Sequence, residues 1–234
     1  MIMKKWLLIG LISVVFYSCK NDPKKEPLTN ALPKQEQEEV EVIDTMLTNE
    51  TISFFNKSGY SNFAKSRLKD FDWSRFHMID TWKDDTVTSA KFEPDKAYFE
   101  NYGRFLKYSP DSSFVIDLDS YNTTITKNKD GKLIGREEGP DTEISLIDLK
   151  NKEKKRLVFL GPGGSIEEGG WIDEDNLALI GLQDTPDESV QVHLIWKYHL
   201  PTHTFYLFQS TDTIGAQQQM NSWRKERLKG VIIQ

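Results

Sequence analysis

Histidine is the residue type in this chain best suited to bind a metal ion, and three of the four histidines, His193, His199 and His203, lie close together. His193 and His199 fall on one face of a predicted strand, six residues apart, which separates them by roughly 20 Å at about 3.3 Å per residue. A zinc–nitrogen bond is only about 2 Å long. His199 and His203 could meet across the intervening turn, but the sequence offers no third ligand beside them. It therefore predicts no metal site and no cofactor.

Residues 161–170 (GPGGSIEEGG) form the segment richest in glycine. The segment lacks the Lys-Ser/Thr ending of a phosphate-binding loop, and its two glutamates would repel a phosphate. The pattern favours a flexible connection between strands. The alternative is a binding lip beside the aromatic residue that follows, because glycine lets a ligand or partner approach the backbone closely. The residues of this predicted lip are Gly163, Gly164, Glu167, Glu168 and Trp171.

Several carboxylates could in principle pair for catalysis or bind calcium, namely Asp111, Asp117, Asp119, Asp173 and Asp175. Their spacing is not that of a calcium-binding loop, because Asp173 and Asp175 lead directly into Leu177 rather than to a glycine. Hydration of turns and strand ends accounts for such aspartates. No serine stands in a Gly-x-Ser-x-Gly motif. The sequence therefore predicts no catalytic residue.

The amino-terminal segment carries the most specific signal in the chain. Lys4 and Lys5 precede an apolar run over residues 6–17, which is followed by Ser18 and Cys19. A basic start, an apolar stretch and a small residue are typical of an export signal. The run has 12 residues, whereas a membrane-spanning helix needs about 20. Residues 1–18 are therefore predicted to be a signal peptide.

Residues 1–19 resemble a bacterial lipoprotein precursor. The resemblance implies cleavage after Ser18, attachment of a diacylglycerol to the Cys19 thiol and acylation of the new amino terminus, so that several acyl chains hold the protein to a membrane. Residues 20–22 (KND) are similar to the leader that follows the cysteine in lipoproteins of the Bacteroidota. This implies the outer membrane rather than the inner, on its periplasmic or its surface side. An ordinary signal peptide followed by a chance cysteine is the alternative.

The organisation of the rest of the chain follows from its composition. Residues 20–41 contain three prolines among Lys, Glu and Gln and few apolar side chains, so they cannot bury enough surface to offset the entropy of ordering them. We therefore predict a lipidated cysteine and flexible tether over residues 19–47. Hydrophobic residues make up 38% of the chain and aromatic residues 12%, enough for the core of a single β-rich domain over residues 48–234.

Charge argues against nucleic acid as a partner. The formal net charge of the 234-residue chain is −6. Residues 1–18 hold two lysines and no acidic residue, so their removal leaves a charge of −8. No basic stripe interleaved with aromatic residues is present to offset this acidic balance. Lipidation of the only cysteine, Cys19, would also leave no thiol for a disulfide or a nucleophile. Packing alone must then hold the domain together.

Periodicity predicts a mainly β fold. Between residues 190 and 200 apolar side chains alternate with polar ones, and Ile195 is the single exception, a pattern typical of a half-buried strand. The Asp130-Gly131 pair predicts a hairpin turn. Short helices are predicted near residues 48–68, with a break at Gly59, and near residues 216–227. Other strands are predicted at residues 76–82, 113–119, 124–126, 132–134, 143–149, 156–160, 177–182 and 205–208.

A weak internal repeat underlies this pattern. Residues 108–116 (YSPDSSFVI) and 171–179 (WIDEDNLAL) each place an aromatic residue before a polar turn and an apolar strand, and a hairpin follows both. Over residues 90–210 these units are similar to blades of WD-type and Tol-system β-propellers, and residues 92–95 form a third, degraded unit. A closed propeller needs four or more blades. The expected fold is therefore antiparallel sheets with blade-like repeats that do not close into a propeller.

Three functions remain open at this level. The first is a lipid-anchored cell-envelope protein that acts as a non-catalytic binding or accessory component, with another envelope protein as its partner. The second is an extracytoplasmic hydrolase or carbohydrate-active enzyme, which needs two carboxylates about 5–10 Å apart in a cleft. The third is a carrier of a small ligand, which needs a sizeable apolar cavity.

Overall fold

A computed structural model of the chain describes residues 45–84, 89–215 and 222–234. The predicted signal peptide, Cys19 and almost all of the predicted tether lie outside the described residues, as does the first half of the helix predicted at 216–227. The helices are α1 (Asn49–Lys57), α2 (Tyr60–Arg67), α3 (Lys96–Tyr102) and α4 (Arg224–Arg227). The strands are β1 (Phe76–Lys83), β2 (Ala90–Lys91), β3 (Lys107–Tyr108), β4 (Phe114–Asp117), β5 (Thr123–Lys127), β6 (Leu133–Glu137), β7 (Thr142–Asp148), β8 (Glu153–Leu160), β9 (Gly164–Trp171), β10 (Asn176–Asp184), β11 (Gln191–His199), β12 (Thr204–Ile214) and β13 (Val231–Ile233).

The strands form three sheets. The first sheet has the order β1-β12-β11-β10-β9 and the second has the order β2-β8-β7-β4-β3, and all neighbours in both are antiparallel. The third sheet has the order β13-β6-β5, in which β13 runs parallel to β6. The prediction of a mainly β fold with antiparallel sheets and a few short helices is confirmed. The described residues contain no closed barrel or propeller.

The main core lies between the first and second sheets, which pack face to face. The apolar side chains of the two inner faces meet in one cluster, which contains Ile116, Leu118, Ile144, Leu146, Leu157, Val158, Ile166, Leu177, Leu179, Val192, Leu194, Trp196, Tyr198 and Phe205. The outer face of the first sheet is covered by α1 and α2, and the outer face of the second by α3. The domain therefore has four layers, with helices outside and two sheets inside.

Strand β11 is buried along its core face and also at the centre of its second face, whose ends are half-buried, so the second face is more buried than the alternation predicts. The predicted apolar face lies in the core between the sheets. On the other face, Ile195 and His193 are fully buried beneath the helical layer. Ile195 departs from the alternation because its side of the strand also faces apolar side chains, among them Phe55 and Phe76.

Helices α1 and α2, which form the helical layer over the first sheet, have the cap and the break that the sequence predicts. Thr48 caps α1, and its hydroxyl accepts a hydrogen bond from the Thr51 N–H at 3.4 Å. Gly59 separates α1 from α2 with a φ of +86°, a conformation that glycine adopts without steric cost. The predicted break at Gly59 is therefore confirmed. In the region predicted as helix at 216–227, only Arg224–Arg227 is helical among the described residues.

Residues 222–234 cross from the first sheet to the third. The Trp223 indole donates to Glu168 at 2.7 Å, and Arg227 donates to Asp119 at 2.7 Å. The chain then turns at Gly230 and adds β13 to the free edge of β6. This segment therefore ties β9 to the third sheet through charged and hydrogen-bonded contacts.

Candidate functional site

A cleft opens where the first and second sheets separate at one end of their shared core. It has a volume of about 490 Å³, which lies within the range of small-ligand sites. The hairpin between β7 and β8, the turn between β11 and β12 and the end of β1 form its walls. We call it the interlayer cleft, and it is lined by Asp84, Ser89, Phe114, Leu146, Asp148, Glu153, Lys155, Tyr198, Leu200, Pro201 and His203.

An ion pair between half-buried Lys155 and buried Asp84 forms the floor of the interlayer cleft. Lys155 Nζ lies 2.7 Å from Asp84 Oδ2, and the two side chains are 15% and 6% exposed. Nζ also donates a hydrogen bond to the Tyr198 hydroxyl at 3.0 Å. Burial lowers the pKa of Lys155, but its bonds to Asp84 and Tyr198 outweigh this and leave the pKa raised. The floor therefore holds a fixed ammonium beside a fixed carboxylate.

Two further carboxylates stand at the rim of the interlayer cleft. Asp148 and Glu153 are directly opposite each other on β7 and β8. Glu153 accepts hydrogen bonds from Lys91 at 2.9 Å and from Ser89 at 3.1 Å, and these lower its pKa. Asp148 accepts from the backbone and the side chain of Asn151, at 2.8 and 2.7 Å. Both rim carboxylates are thus held in place, Glu153 by donors in and just before β2 and Asp148 by a donor in the β7–β8 turn.

The histidines do not come together. His203 is in the turn between β11 and β12 and stacks on Tyr198, with ring centroids 6.4 Å apart. His199 bonds to Thr202 at 2.7 Å through Nδ1. His193 is on the same face of β11 as His199 but is fully buried among the rings beneath α1 and α2. Within residues 45–84, 89–215 and 222–234, no three His, Cys, Asp or Glu side chains are grouped to hold a metal ion.

The glycine-rich segment is not the loop that the sequence favours, since Gly164–Trp171 forms strand β9. Its glycines permit close packing between layers. A Cβ on Gly170 would lie 2.8 Å from Cζ of Phe54, and a Cβ on Gly169 would lie 2.4 Å from Cδ2 of Leu179. Only Gly163, in the turn before the strand, needs glycine for its backbone conformation, with a φ of +88°.

The two glutamates of the predicted lip are inside the fold. Glu167 is 2% exposed and accepts two hydrogen bonds from Arg67, at 2.6 and 2.8 Å, and one from the Tyr60 hydroxyl at 2.5 Å. Glu168 is 4% exposed and pairs with Lys107 at 3.1 Å, in addition to its bond from Trp223. Both carboxylates serve to join β9 to neighbouring elements.

The other lip residues have different surroundings. Gly164 is buried and Gly163 half-buried, whereas Trp171 keeps part of its ring exposed. The Trp171 indole donates to the Lys107 carbonyl at 3.0 Å, which fixes the orientation of the ring. Of the five residues, Trp171 is the side chain that a ligand can reach. Binding at the lip stays a prediction.

Four of the five candidate aspartates have structural partners, and these partners differ from one aspartate to the next. Asp111 and Asp173 accept hydrogen bonds from groups in their own turns, which fits the prediction that these aspartates are turn residues. Asp117 accepts from the Tyr98 hydroxyl at 2.6 Å, and Asp119 pairs with Arg227. Asp175 is exposed at the turn before β10.

The residues of the interlayer cleft form no pattern that could be recognised in the sequence. Asp84 and Lys155 are distant in the chain, and neither belongs to a recognisable motif. The sequence does contain a signal for a different group of buried charges, the two glutamates of β9. Glu167 and Glu168 are adjacent acidic residues in a segment with almost no other polar side chain, and such residues are often held by buried cations.

Comparison of the chain with protein-family models, with curated proteins and with solved structures found no match in any of the three. Among the described residues, no helix is both long enough and apolar enough to cross a membrane.

Proposed function

We propose that this chain is a lipid-anchored protein of the cell envelope and that its domain is a non-catalytic binding or accessory component, which takes its partner or ligand in the interlayer cleft. The observation that carries the proposal is the cleft of about 490 Å³. Its apolar walls end in charged groups that neighbouring residues hold in position, an arrangement typical of a preformed binding site. Preformed geometry lowers the entropic cost of binding.

The state of the carboxylates favours binding over hydrolysis. A general acid in a glycoside hydrolase needs a raised pKa, so that it keeps its proton near neutral pH. Hydrogen bonds from Lys91 and Ser89 lower the pKa of Glu153 instead. The Asp84 carboxylate is paired with Lys155. These groups are better suited to hold a charged or hydrogen-bonding ligand than to transfer a proton.

The anchor is the second part of the proposal. The apolar run over residues 6–17, followed by Ser18 and Cys19, supports lipidation of Cys19, and residues 20–22 support attachment to the outer membrane, on its periplasmic or surface side. Acyl chains on this cysteine would make the membrane the first partner of the protein. A Cys19→Ser variant should lose incorporation of an alkyne-labelled palmitate and should leave the membrane fraction.

The repeat units also fit this proposal. The turns before β4 and β10 are each closed by an aspartate, Asp111 in the second sheet and Asp173 in the first. We propose that each sheet is one blade-like unit and that the space between two such units is the interlayer cleft. A binding site between neighbouring sheets would then follow from the repeat itself.

Photo-cross-linking in the native envelope tests the binding role. A p-benzoylphenylalanine in place of His203 reports contacts in the interlayer cleft, and the same residue in place of Lys129, in the β5–β6 turn, serves as the control. We expect the His203 position alone to give one discrete cross-linked product, identified by mass spectrometry. Equal products from both positions, or none from either, would contradict a partner or ligand in the cleft.

A further inference from the structure

The interlayer cleft carries an excess of negative charge. Its lining contains three carboxylates, on Asp84, Asp148 and Glu153, and one ammonium, on Lys155. Lys155 Nζ lies 2.7 Å from Asp84 Oδ2, so the ammonium on the floor is already paired. With His203 counted as neutral, the two rim carboxylates remain as an excess of two negative charges among the lining residues that the structure describes. A site with this balance attracts a cation rather than an anion.

The register of the second sheet places both rim carboxylates in one row with an aromatic residue. Phe114 on β4 is directly opposite Asp148 on β7, and Asp148 is directly opposite Glu153 on β8. Side chains in directly opposite positions point to the same face of a sheet, with Cβ atoms about 4.5–5.5 Å apart. All three residues line the interlayer cleft. One wall of the cleft therefore carries an aromatic ring and two carboxylates side by side.

Asp148 and Glu153 form a pair of like charges in directly opposite positions, an arrangement that destabilises a sheet. The donors to Asp148 are the backbone and side-chain N–H groups of Asn151, which are neutral, so they orient the carboxylate without compensating its charge. Glu153 pairs with Lys91 at 2.9 Å, but the Lys91 side chain is 80% exposed, and such pairs contribute little. Hydrogen bonds from Lys91 and Ser89 lower the pKa of Glu153, and the nearby Asp148 charge opposes this shift. A cation bound between the two carboxylates would relieve their repulsion.

Apolar surface beside the carboxylates indicates what kind of cation fits. Phe114 and Leu200 are half-buried and Pro201 is exposed, so each of these lining residues keeps some accessible surface. A cation is attracted to the face of an aromatic ring, and a hydrocarbon chain packs against apolar side chains. An organic ammonium ion has both a charged end and a hydrocarbon body. A metal ion fits less well, because in residues 45–84, 89–215 and 222–234 no three His, Cys, Asp or Glu side chains are grouped to hold one.

We propose that the interlayer cleft binds an organic ammonium ion, with Asp148 and Glu153 as its acceptors and with Phe114, Leu200 and Pro201 against its hydrocarbon body. This inference rests on the proposed function, because it names the chemistry of the ligand that the cleft takes. The ammonium group has two possible sources, a free amine or a lysine side chain of a partner protein. Both present three N–H donors at the end of a carbon chain.

Calorimetric titration of the full chain at neutral pH, in a non-ionic detergent, tests the charge of the ligand. The probes are butylammonium, 1-butanol and pentanoate, which share a butyl chain and differ in the charge at its end, each up to about 10 mM to cover dissociation constants near 1 mM. We expect butylammonium to bind about tenfold more tightly than the other two, or better, and to bind more weakly as the salt concentration rises. Equal binding of all three probes, or no binding of butylammonium, would overturn the proposal.

Variants then locate the site. Asp148→Asn and Glu153→Gln keep the size of the side chain and remove its charge, and each should weaken butylammonium binding by about tenfold. Glu188→Gln is the matched control and should bind normally, because Glu188 is exposed in the β10–β11 turn, at the other end of β11 from His203. The melting temperature of Asp148→Asn should equal or exceed that of the parent chain, since the substitution removes the repulsion. Unchanged binding in both cleft variants would refute the cleft as the site.

A peptide identifies the source of the ammonium group. The tripeptide Gly-Lys-Gly with blocked ends presents a lysine as a protein does, and acetylation of its amine removes the charge. Binding of the unmodified peptide more tightly than butylammonium, with loss on acetylation, would support a partner protein, and the reverse order would support a free amine. If no probe binds but the cross-link from His203 still forms, the ammonium inference is wrong and the proposed function stands. If neither is observed, both are wrong.

Discussion

The pairing of Arg67 with Glu167 gives the sharpest prediction for stability. The two side chains are 1% and 3% exposed, and their bond is bidentate. Glu167→Gln keeps the size of the side chain and an oxygen that can still accept from Tyr60, but it removes the charge. Arg67 would then be a buried cation without its partner carboxylate. Breaking a buried pair in this way costs about 3–5 kcal/mol, a large fraction of the roughly 5–15 kcal/mol that stabilises a typical domain.

A second substitution separates the charge from the packing. In Arg67→Met combined with Glu167→Leu, both charges are replaced by apolar groups of similar length, and such replacements are often neutral or stabilising. The Tyr60 hydroxyl loses its partner in this variant, so Tyr60→Phe is added to remove the unsatisfied group, which otherwise costs about 1–3 kcal/mol. We expect the triple variant to be more stable than Glu167→Gln alone.

Urea unfolding followed by tryptophan fluorescence measures these differences in the free energy of unfolding. Glu100→Gln is the control, because Glu100 forms an exposed pair with Lys96 across one helical turn, and such pairs contribute less than about 0.5 kcal/mol. If Glu167→Gln lowered the free energy of unfolding by less than about 1 kcal/mol, the buried Arg67 charge would not depend on the Glu167 carboxylate, and the prediction would be wrong. A triple variant as unstable as Glu167→Gln would refute it as well.

Three further predictions concern single side chains. Burial lowers the pKa of His193 to about 4, so the unfolded chain binds a proton first and the native state loses stability as the pH drops from about 6.5 towards 4, by about 2 kcal/mol at pH 4.5. His193→Leu should remove this part of the acid dependence, measured by urea unfolding at pH 7 and 4.5. An unchanged pH dependence in the variant would contradict the prediction. Gly170→Ala should lower the melting temperature through about 1–3 kcal/mol of overpacking against Phe54, and Phe54→Leu should restore part of the loss. Lys155→Met leaves Asp84 buried without its cation and should cost about 3 kcal/mol; a loss under 1 kcal/mol in thermal unfolding would show that water already compensates the pair.

Alternation of side chains explains why so many strands are predictable. The face of β11 that carries Val192, Leu194 and Trp196 has the period of two that any sheet with one apolar face requires, and this face does meet the second sheet. The opposite face could not be assigned in advance. Burial of His193 and Ile195 depends on α1 and α2, which cover the strand from more than a hundred residues away in sequence. Local periodicity contains no information about such a second layer.

The errors in the candidate site have a similar origin. Glycine is disfavoured in strands, so residues 164–171 resemble a loop when neighbours are ignored. In the fold β9 pairs with β10, and Phe54 and Leu179 occupy the space that side chains at Gly170 and Gly169 would need. The interlayer cleft could not be predicted from the sequence for a related reason. Its floor joins the end of β1 to the middle of β8, and only the stacking of two sheets brings Asp84 to Lys155.

The parallel pairing of β13 with β6 has a consequence for the order of assembly. Strand β6 is synthesised about a hundred residues before its partner, and Asp119 and Glu168 are also made well before the residues that bond to them, Arg227 and Trp223. A growing chain that has reached β12 therefore contains both main sheets but still lacks the arginine that pairs with Asp119 and the indole that donates to Glu168. Closure of the domain must wait for its last segment. The contacts of residues 222–234 are long-range in sequence, and such contacts carry a high loop-closure cost, so we expect this segment to dock late onto sheets that are already paired.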